Sequence, residues 1–194
     1  MLVALAAAAH AQSFSAADTK ELATYRLTME NTKKIYALFR AIGQEMARDP
    51  KFQALQKTKA EIEALSKKDE LTDAESERLE KLEMLKEQQE EEFEKENDGA
   101  NVSNAQSLNQ MEAAIKANPR FMAMMTKVGL TPREYAKWTL ASLMAGLAAG
   151  FQQSGVLKEL PKDLKDVNPE NVKFILEHEA ELNAMRGEME KIGK

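Results

Sequence analysis

"GLTPREYAKWTLASLMAGLAAGF", residues 129–151, is the most apolar internal segment of an otherwise highly charged chain. Its first half is a helix start. Thr131 is placed to cap, Pro132 takes the first helical position, and Glu134 completes a capping box. From Trp138 to Phe151 no side chain is charged, but that is 14 residues, and a membrane span needs about twenty. The segment therefore predicts a buried soluble helix, not a span. Ala136, Leu140, Leu143, Leu147 and Phe151 share one face. Ala141, Ala145, Ala148 and Ala149 cover much of the rest, so the helix is apolar nearly all round. Gly146 and Gly150 form a G-x-x-x-G pair, which in water suggests close helix approach.

The surroundings of that helix are also helical. The chain has 194 residues with only 8 Gly and 5 Pro, and runs of β-branched residues are absent. Ala, Leu, Glu, Lys, Met and Gln dominate, all good helix formers. An all-α helical bundle follows. Residues 13–50 read as one long helix, capped at Ser15 or Asp18. Its apolar face is Leu22, Tyr25, Met29, Thr32, Tyr36, Phe39, Ile42 and Met46, and Asp49-Pro50 ends it. Beyond the linker "NDGANVSN", a helix reaches Lys116 and breaks at Asn118-Pro119. A short helix then carries Phe121, Met122, Met125 and Val128, and Gly129 stops it. "GVLKELPKDLKDV" reads as a loop anchored by Val156, Leu157 and Leu160. Asn168-Pro169 opens a last helix with the stripe Val172, Ile175, Leu176, Leu182, Met185 and Met189.

Charge is unevenly distributed. Residues 51–98 hold 9 Lys/Arg against 16 Asp/Glu, a local charge of −7, while the rest carries 18 basic and 16 acidic residues, or +2. The acidic segment has two thin apolar stripes, one of Phe52, Leu55, Ile62 and Leu65, the other of Leu79, Leu82 and Phe93. A capping box at Thr72 and Glu75 separates them. This predicts an inserted acidic two-helix hairpin over 51–98, coiled-coil-like, inside a single domain spanning 12–194. Neither part carries a basic patch, so nucleic acid and anionic membranes are poor partners.

The N-terminus, "MLVALAAAAHAQ", has an apolar run followed by Ala9-His10-Ala11, the A-x-A pattern of a signal-peptidase site. Residues 1–11 are expected to be a signal peptide, though a basic n-region is missing. The expected location is periplasmic or secreted.

Candidate chemistry is thin. With no cysteine there is no disulfide, thiol catalysis or thiolate metal site. Outside the signal peptide His178 is the single histidine. It lies one turn from Glu181, and two ligands are too few for a structural metal site. No G-x-S-x-G elbow and no phosphate-cradling glycine loop occurs. Carboxylate-based glycoside chemistry needs no histidine, but such sites sit in aromatic-rich clefts, and this chain has one Trp and three Tyr. Met122-Ala123-Met124-Met125 resembles the methionine clusters that bind Cu(I) or Ag(I), against the ordinary role of methionine as core filler. The expectation is a non-catalytic protein with no assigned catalytic, cofactor or metal residue, working by protein–protein binding. A carboxylate enzyme and a soft-metal binder are the alternatives.

Three stretches, "TYRLTMENTKK" (24–34), "GLTPREYA" (129–136) and "VNPENVKFILEHEAEL" (167–182), resemble an uncharacterised group of small exported bacterial α-helical proteins. That resemblance implies export and helicity and supplies no activity. The chain is also similar, more weakly, to the Spy/CpxP-type periplasmic chaperones. Those are small, helical and methionine-rich, with "LTxxQ" repeats. The matching positions are Leu71, Thr72 and Glu75, and Leu130, Thr131 and Glu134, with Glu in place of Gln in both. This implies chaperone-like binding of other proteins.

Overall fold

The computed structural model describes residues 15–97, 105, 107–155, 164, 167–189 and 191. The expected signal peptide, most of the linker at 97–104 and the loop anchors Val156, Leu157 and Leu160 lie outside them. Among the described residues there are nine helices and no strand, the all-α architecture that composition predicts. They are α1 (Ala16–Thr24), α2 (Met29–Arg48), α3 (Pro50–Ser66), α4 (Asp73–Asn97), α5 (Leu108–Lys116), α6 (Pro119–Lys127), α7 (Pro132–Ser154), α8 (Pro169–Glu177) and α9 (Glu179–Met189).

Local chemistry sets most of these boundaries. Asp49, Asn118, Thr131 and Asn168 each cap a helix whose next residue is proline, which supplies a preset φ and lacks the N–H a first turn cannot use. Thr131 and Glu134 form the expected reciprocal box. The α6–α7 turn is a Schellman motif. Leu130 N–H donates to the Met125 carbonyl (3.0 Å) and Gly129 N–H to that of Thr126 (3.1 Å). Gly129 sits at φ 68°, where a side chain would be strained.

Two expected single helices are broken. Within the described part of the expected 13–50 helix lie α1 and α2, separated by an extended elbow at Tyr25–Thr28, and Pro50 already opens α3. Thr28 caps α2, its hydroxyl accepting from Asn31 N–H at 3.2 Å. The stripe of spacings 3 and 4 runs unbroken through this elbow, so periodicity gave no warning of it. The last helix divides at His178, which closes α8 at φ −108°, ψ 15°. α9 then lies along α2, held by Lys33–Glu181 (3.2 Å) and Arg40–Glu188 (3.0 Å).

α7 is the central helix. It packs against α1, α2, α5 and α8. Its faces differ from the reading by bulk, however. Ala141, Ala145, Ala148 and Ala149 are buried, in one apolar cluster with Leu27 and Val172. Leu140, Leu143, Leu147 and Phe151 are only partly buried. The small side chains admit the elbow and α8, while Leu140 packs against the cluster that holds Ile35 and Leu38. A Cβ on Gly146 or Gly150 would meet nothing within 4 Å. Close approach therefore uses the alanines and not the G-x-x-x-G pair.

A second cluster joins Leu22, Ile35, Leu38, Leu108, Met111, Ile115, Phe121, Met124, Met125, Leu130 and Ala136. Trp138 packs against both clusters. Its indole N–H donates at 3.2 Å to the hydroxyl of Thr32, which is fully buried. That bond lets a Trp and a Thr occupy the core junction without an orphaned polar group.

α3 and α4 form the acidic hairpin. Phe52 and Phe93 meet at 5.6 Å between ring centroids at its base. Lys59–Glu90 (2.8 Å) and Glu61–Arg78 (2.8 Å) cross its middle, and Lys68 pairs with Glu75 near the tip. The Lys68 ammonium, with help from the Thr72 backbone and hydroxyl, draws the Glu75 carboxyl down to about 2. The seam between Leu55 and Phe93 is polar in part. Thr58 is buried in it, and the side-chain oxygen of Gln89 is buried without a partner. On the outside of α4, Met84 and Leu85 stand 67% and 41% exposed.

Candidate functional site

The residues that sequence suggested for chemistry are dispersed. Met124 and Met125 are buried at 8% and 0% exposure, and Met122 packs beside the same core cluster. Their thioethers serve packing, consistent with the core-filling reading. His178 packs against Phe174 with ring centroids 4.7 Å apart and planes tilted by 47°, and lies 3.9 Å from Glu181, at the exposed α8–α9 bend. Among the described residues no group of three or more His, Cys, Asp or Glu is arranged to hold a metal ion. No described helix is long and apolar enough to cross a membrane.

The structure instead brings the three resemblance stretches together. Asn171 of α8 is 2% exposed. Its side chain accepts from Leu27 N–H at 2.8 Å and donates to the Tyr25 carbonyl at 2.9 Å. Asn168 donates to the same carbonyl at 3.1 Å while its oxygen accepts from Glu170 N–H at 3.0 Å. The two asparagines thus supply an extended backbone segment with the bonds a neighbouring strand would give, which satisfies the elbow away from water. Tyr25 is also held through its ring. Its hydroxyl accepts from Asn31 at 3.3 Å, and the Lys137 ammonium lies 5.3 Å over the ring centroid. Burial raises the Tyr25 phenol above its ordinary value.

Arg133, from the middle stretch, is the hub of a partly buried ionic cluster. Its guanidinium forks onto both oxygens of Glu21, one at 3.1 Å from Nε. It also donates to Asn109 Oδ1 at 2.8 Å, and lies 3.6 Å from Glu112 and 3.9 Å from buried Asp18. Lys137 approaches Glu21 at 3.4 Å. The hydrogen bond from Arg133 holds the Glu21 carboxyl below its ordinary value, and Glu21 in turn raises Arg133. In the sequence Asn168 reads only as the residue that opens the last helix with Pro169, and nothing local distinguishes Arg133. A polar residue at the buried position just before Val172 was the available signal for Asn171.

Two concavities have α8 in their lining. A small one of about 50 Å³ lies between α1, α7 and α8, lined by Thr19, Leu22, Ala141, Met144, Val167, Asn168 and Asn171. The other is an open groove of about 540 Å³ beside α8. Leu164, Val167, Pro169, Val172 and Leu176 make its wall, and Gln152, Lys173 and Glu177 its rim. The first is far below the 300–1,000 Å³ usual for a small-molecule site. The second has the volume but is apolar, without converging acids or bases. α8 runs parallel to the second half of α7, since Val167 and Asn168 lie by Ala141 and Met144 while Gln153 donates to Glu179 at 3.0 Å. The groove is lined by α8, with Gln152 of α7 and the residues Leu164 and Val167 that precede α8. Comparison of the chain with protein-family models, with curated proteins and with solved structures finds no match in any of the three.

Proposed function

We propose that this is an exported, non-catalytic helical protein that works by binding other proteins, in a chaperone-like manner. The observation that carries the reading is the apolar groove beside α8, with Lys173 and Glu177 on its rim. Its shape and chemistry suit the apolar face of a helical or unfolded segment, which is recognised by its alternating anchors and not by a reacting group. The acidic hairpin supports solubility of the complex, since a surplus of carboxylates disfavours self-association. Export rests on the A-x-A pattern ending at Ala11, and the mature chain is then expected to begin at Gln12.

The test is suppression of aggregation of a chemically unfolded client, together with binding of a hydrophobic dye, both without added metal. Wild-type protein is expected to do both. Leu176→Asp, on the half-buried groove wall, is expected to lose both while keeping its helical circular dichroism. Wild-type protein that does neither defeats the reading.

A further inference from the structure

Among the described residues Met84 is the exposed methionine; the others are buried or partly buried. It stands 67% exposed in the middle of α4. α4 lies along α3, and its partly buried residues include Leu79, Leu82 and Phe93. Helical spacing puts Met84 on the face opposite Leu82 and Phe93. One turn away on its own face are Glu80, Lys81, Glu87 and Gln88, all exposed and none apolar. Lys81 is drawn to Glu77 at 2.6 Å, and Gln88 donates to Glu92 at 3.2 Å. Met84 therefore has no apolar neighbour to pack on along that face, and as an apolar side chain left in water it adds little to the stability of the hairpin. What it does present to solvent is a thioether.

We infer that Met84 is a modification site, oxidised reversibly to methionine sulfoxide by a peroxide. The thioether sulfur attacks one peroxide oxygen and an S–O bond forms as the O–O bond breaks. The other oxygen leaves as water, carrying both peroxide protons. Sulfur is oxidised and the peroxide is reduced. The product is the substrate class of the thiol-dependent reductases that act on methionine sulfoxide. The surroundings select a neutral oxidant. Residues 77–91 hold 6 Glu against 3 Lys/Arg, a field that repels anions and leaves hydrogen peroxide unaffected. Met84 and Leu85 are also the large apolar side chains exposed among the described residues. A sulfoxide makes the first of them polar, and the helix has nothing to repack because that side chain is already in water. Met111, Met124 and Met125 present the opposite case, since an oxygen there would be a buried acceptor without a donor. Oxidation at Met84 thus switches a surface patch from apolar to polar and leaves the fold in place. The inference does not draw on the groove beside α8 and goes beyond the proposed function.

The experiment is a time course of dilute hydrogen peroxide on the full chain, read by peptide mapping in a mass spectrometer. The Met84 peptide is expected to gain oxygen first, about tenfold faster than those of Met111, Met124 and Met125, whose oxidation waits on opening of the core. The singly oxidised chain is expected to keep its helical circular dichroism and its urea midpoint, and to elute earlier from a hydrophobic-interaction column. Methionine sulfoxide reductases for both sulfoxide epimers, supplied with a thiol, are expected to remove the oxygen. Met84→Leu is expected to lose the fast uptake and keep the fold. Oxidation of another described methionine as fast as Met84 overturns the inference. So does a fall in the urea midpoint at the first oxygen, an unchanged elution, or an oxygen that the reductases leave in place. Should Met84→Leu lose its helical signal, the wild-type map decides alone.

Discussion

Replacing Asn171 with alanine tests the account of how the elbow is held. The side chain is 2% exposed and makes two bonds to backbone, from Leu27 N–H and to the Tyr25 carbonyl. Alanine leaves the Leu27 N–H with no acceptor at a residue only 6% exposed, whereas the Tyr25 carbonyl keeps Asn168. One orphaned buried donor plus one lost bond costs about 2–4 kcal/mol. Urea unfolding followed by the fluorescence of Trp138, the only tryptophan, should move its midpoint down by about 1–2 M. Asn171→Asp keeps the acceptor but sets a buried carboxylate against the Tyr25 carbonyl, so it should cost at least as much. Asn168→Ala should cost less, about 1 kcal/mol, since it removes a helix cap and the redundant bond. If Asn171→Ala shifts stability by less than about 1 kcal/mol, the elbow draws its bonds from water and the clamp is not what fixes it.

Met125→Ala removes a fully buried side chain and is expected to destabilise by about 2–5 kcal/mol in the same assay; a neutral result would mean the core collapses freely around it. Gly129→Ala keeps open space around its new Cβ but forces it to φ 68°, so a loss of roughly 1 kcal/mol should come from backbone strain alone. Acid should loosen α1 first. Glu21 is depressed from its ordinary value of 4.5 by Arg133, so its contribution is present above that value and lost as pH falls through the lower folded value. Hydrogen exchange of residues 16–24 should accordingly accelerate as the pH falls below about 4.5, and Arg133→Gln should flatten that dependence.

Much of the fold was readable because helix ends are local events. The four cap-then-proline sites, the capping boxes at Thr72 and Thr131 and the stop at Gly129 each follow from residues within one turn. The elbow at Tyr25–Thr28 escaped because its stabilising partners are Asn168 and Asn171, separated from Tyr25 by 143 and 146 residues. Without them the apolar stripe continues smoothly from Leu22 to Met29. The ionic hub escaped for a similar reason. Asp18, Glu21, Glu112 and Arg133 come from three helices, and among 59 charged side chains nothing local distinguishes them.

α7 divides the two kinds of information most clearly. Its start, its approximate length and its inability to span a bilayer are contained in residues 129–151, because capping and hydropathy act along the chain. Which of its faces is buried was decided by its neighbours. Sequence ranks Leu143, Leu147 and Phe151 as better core residues than alanine, by area removed from water. The folded chain buries Ala141, Ala145, Ala148 and Ala149 because α8 and the elbow approach on that side, where only a methyl group fits between close backbones. Bulk determines how much a residue gains on burial; the distance between packed helices determines whether there is room for it.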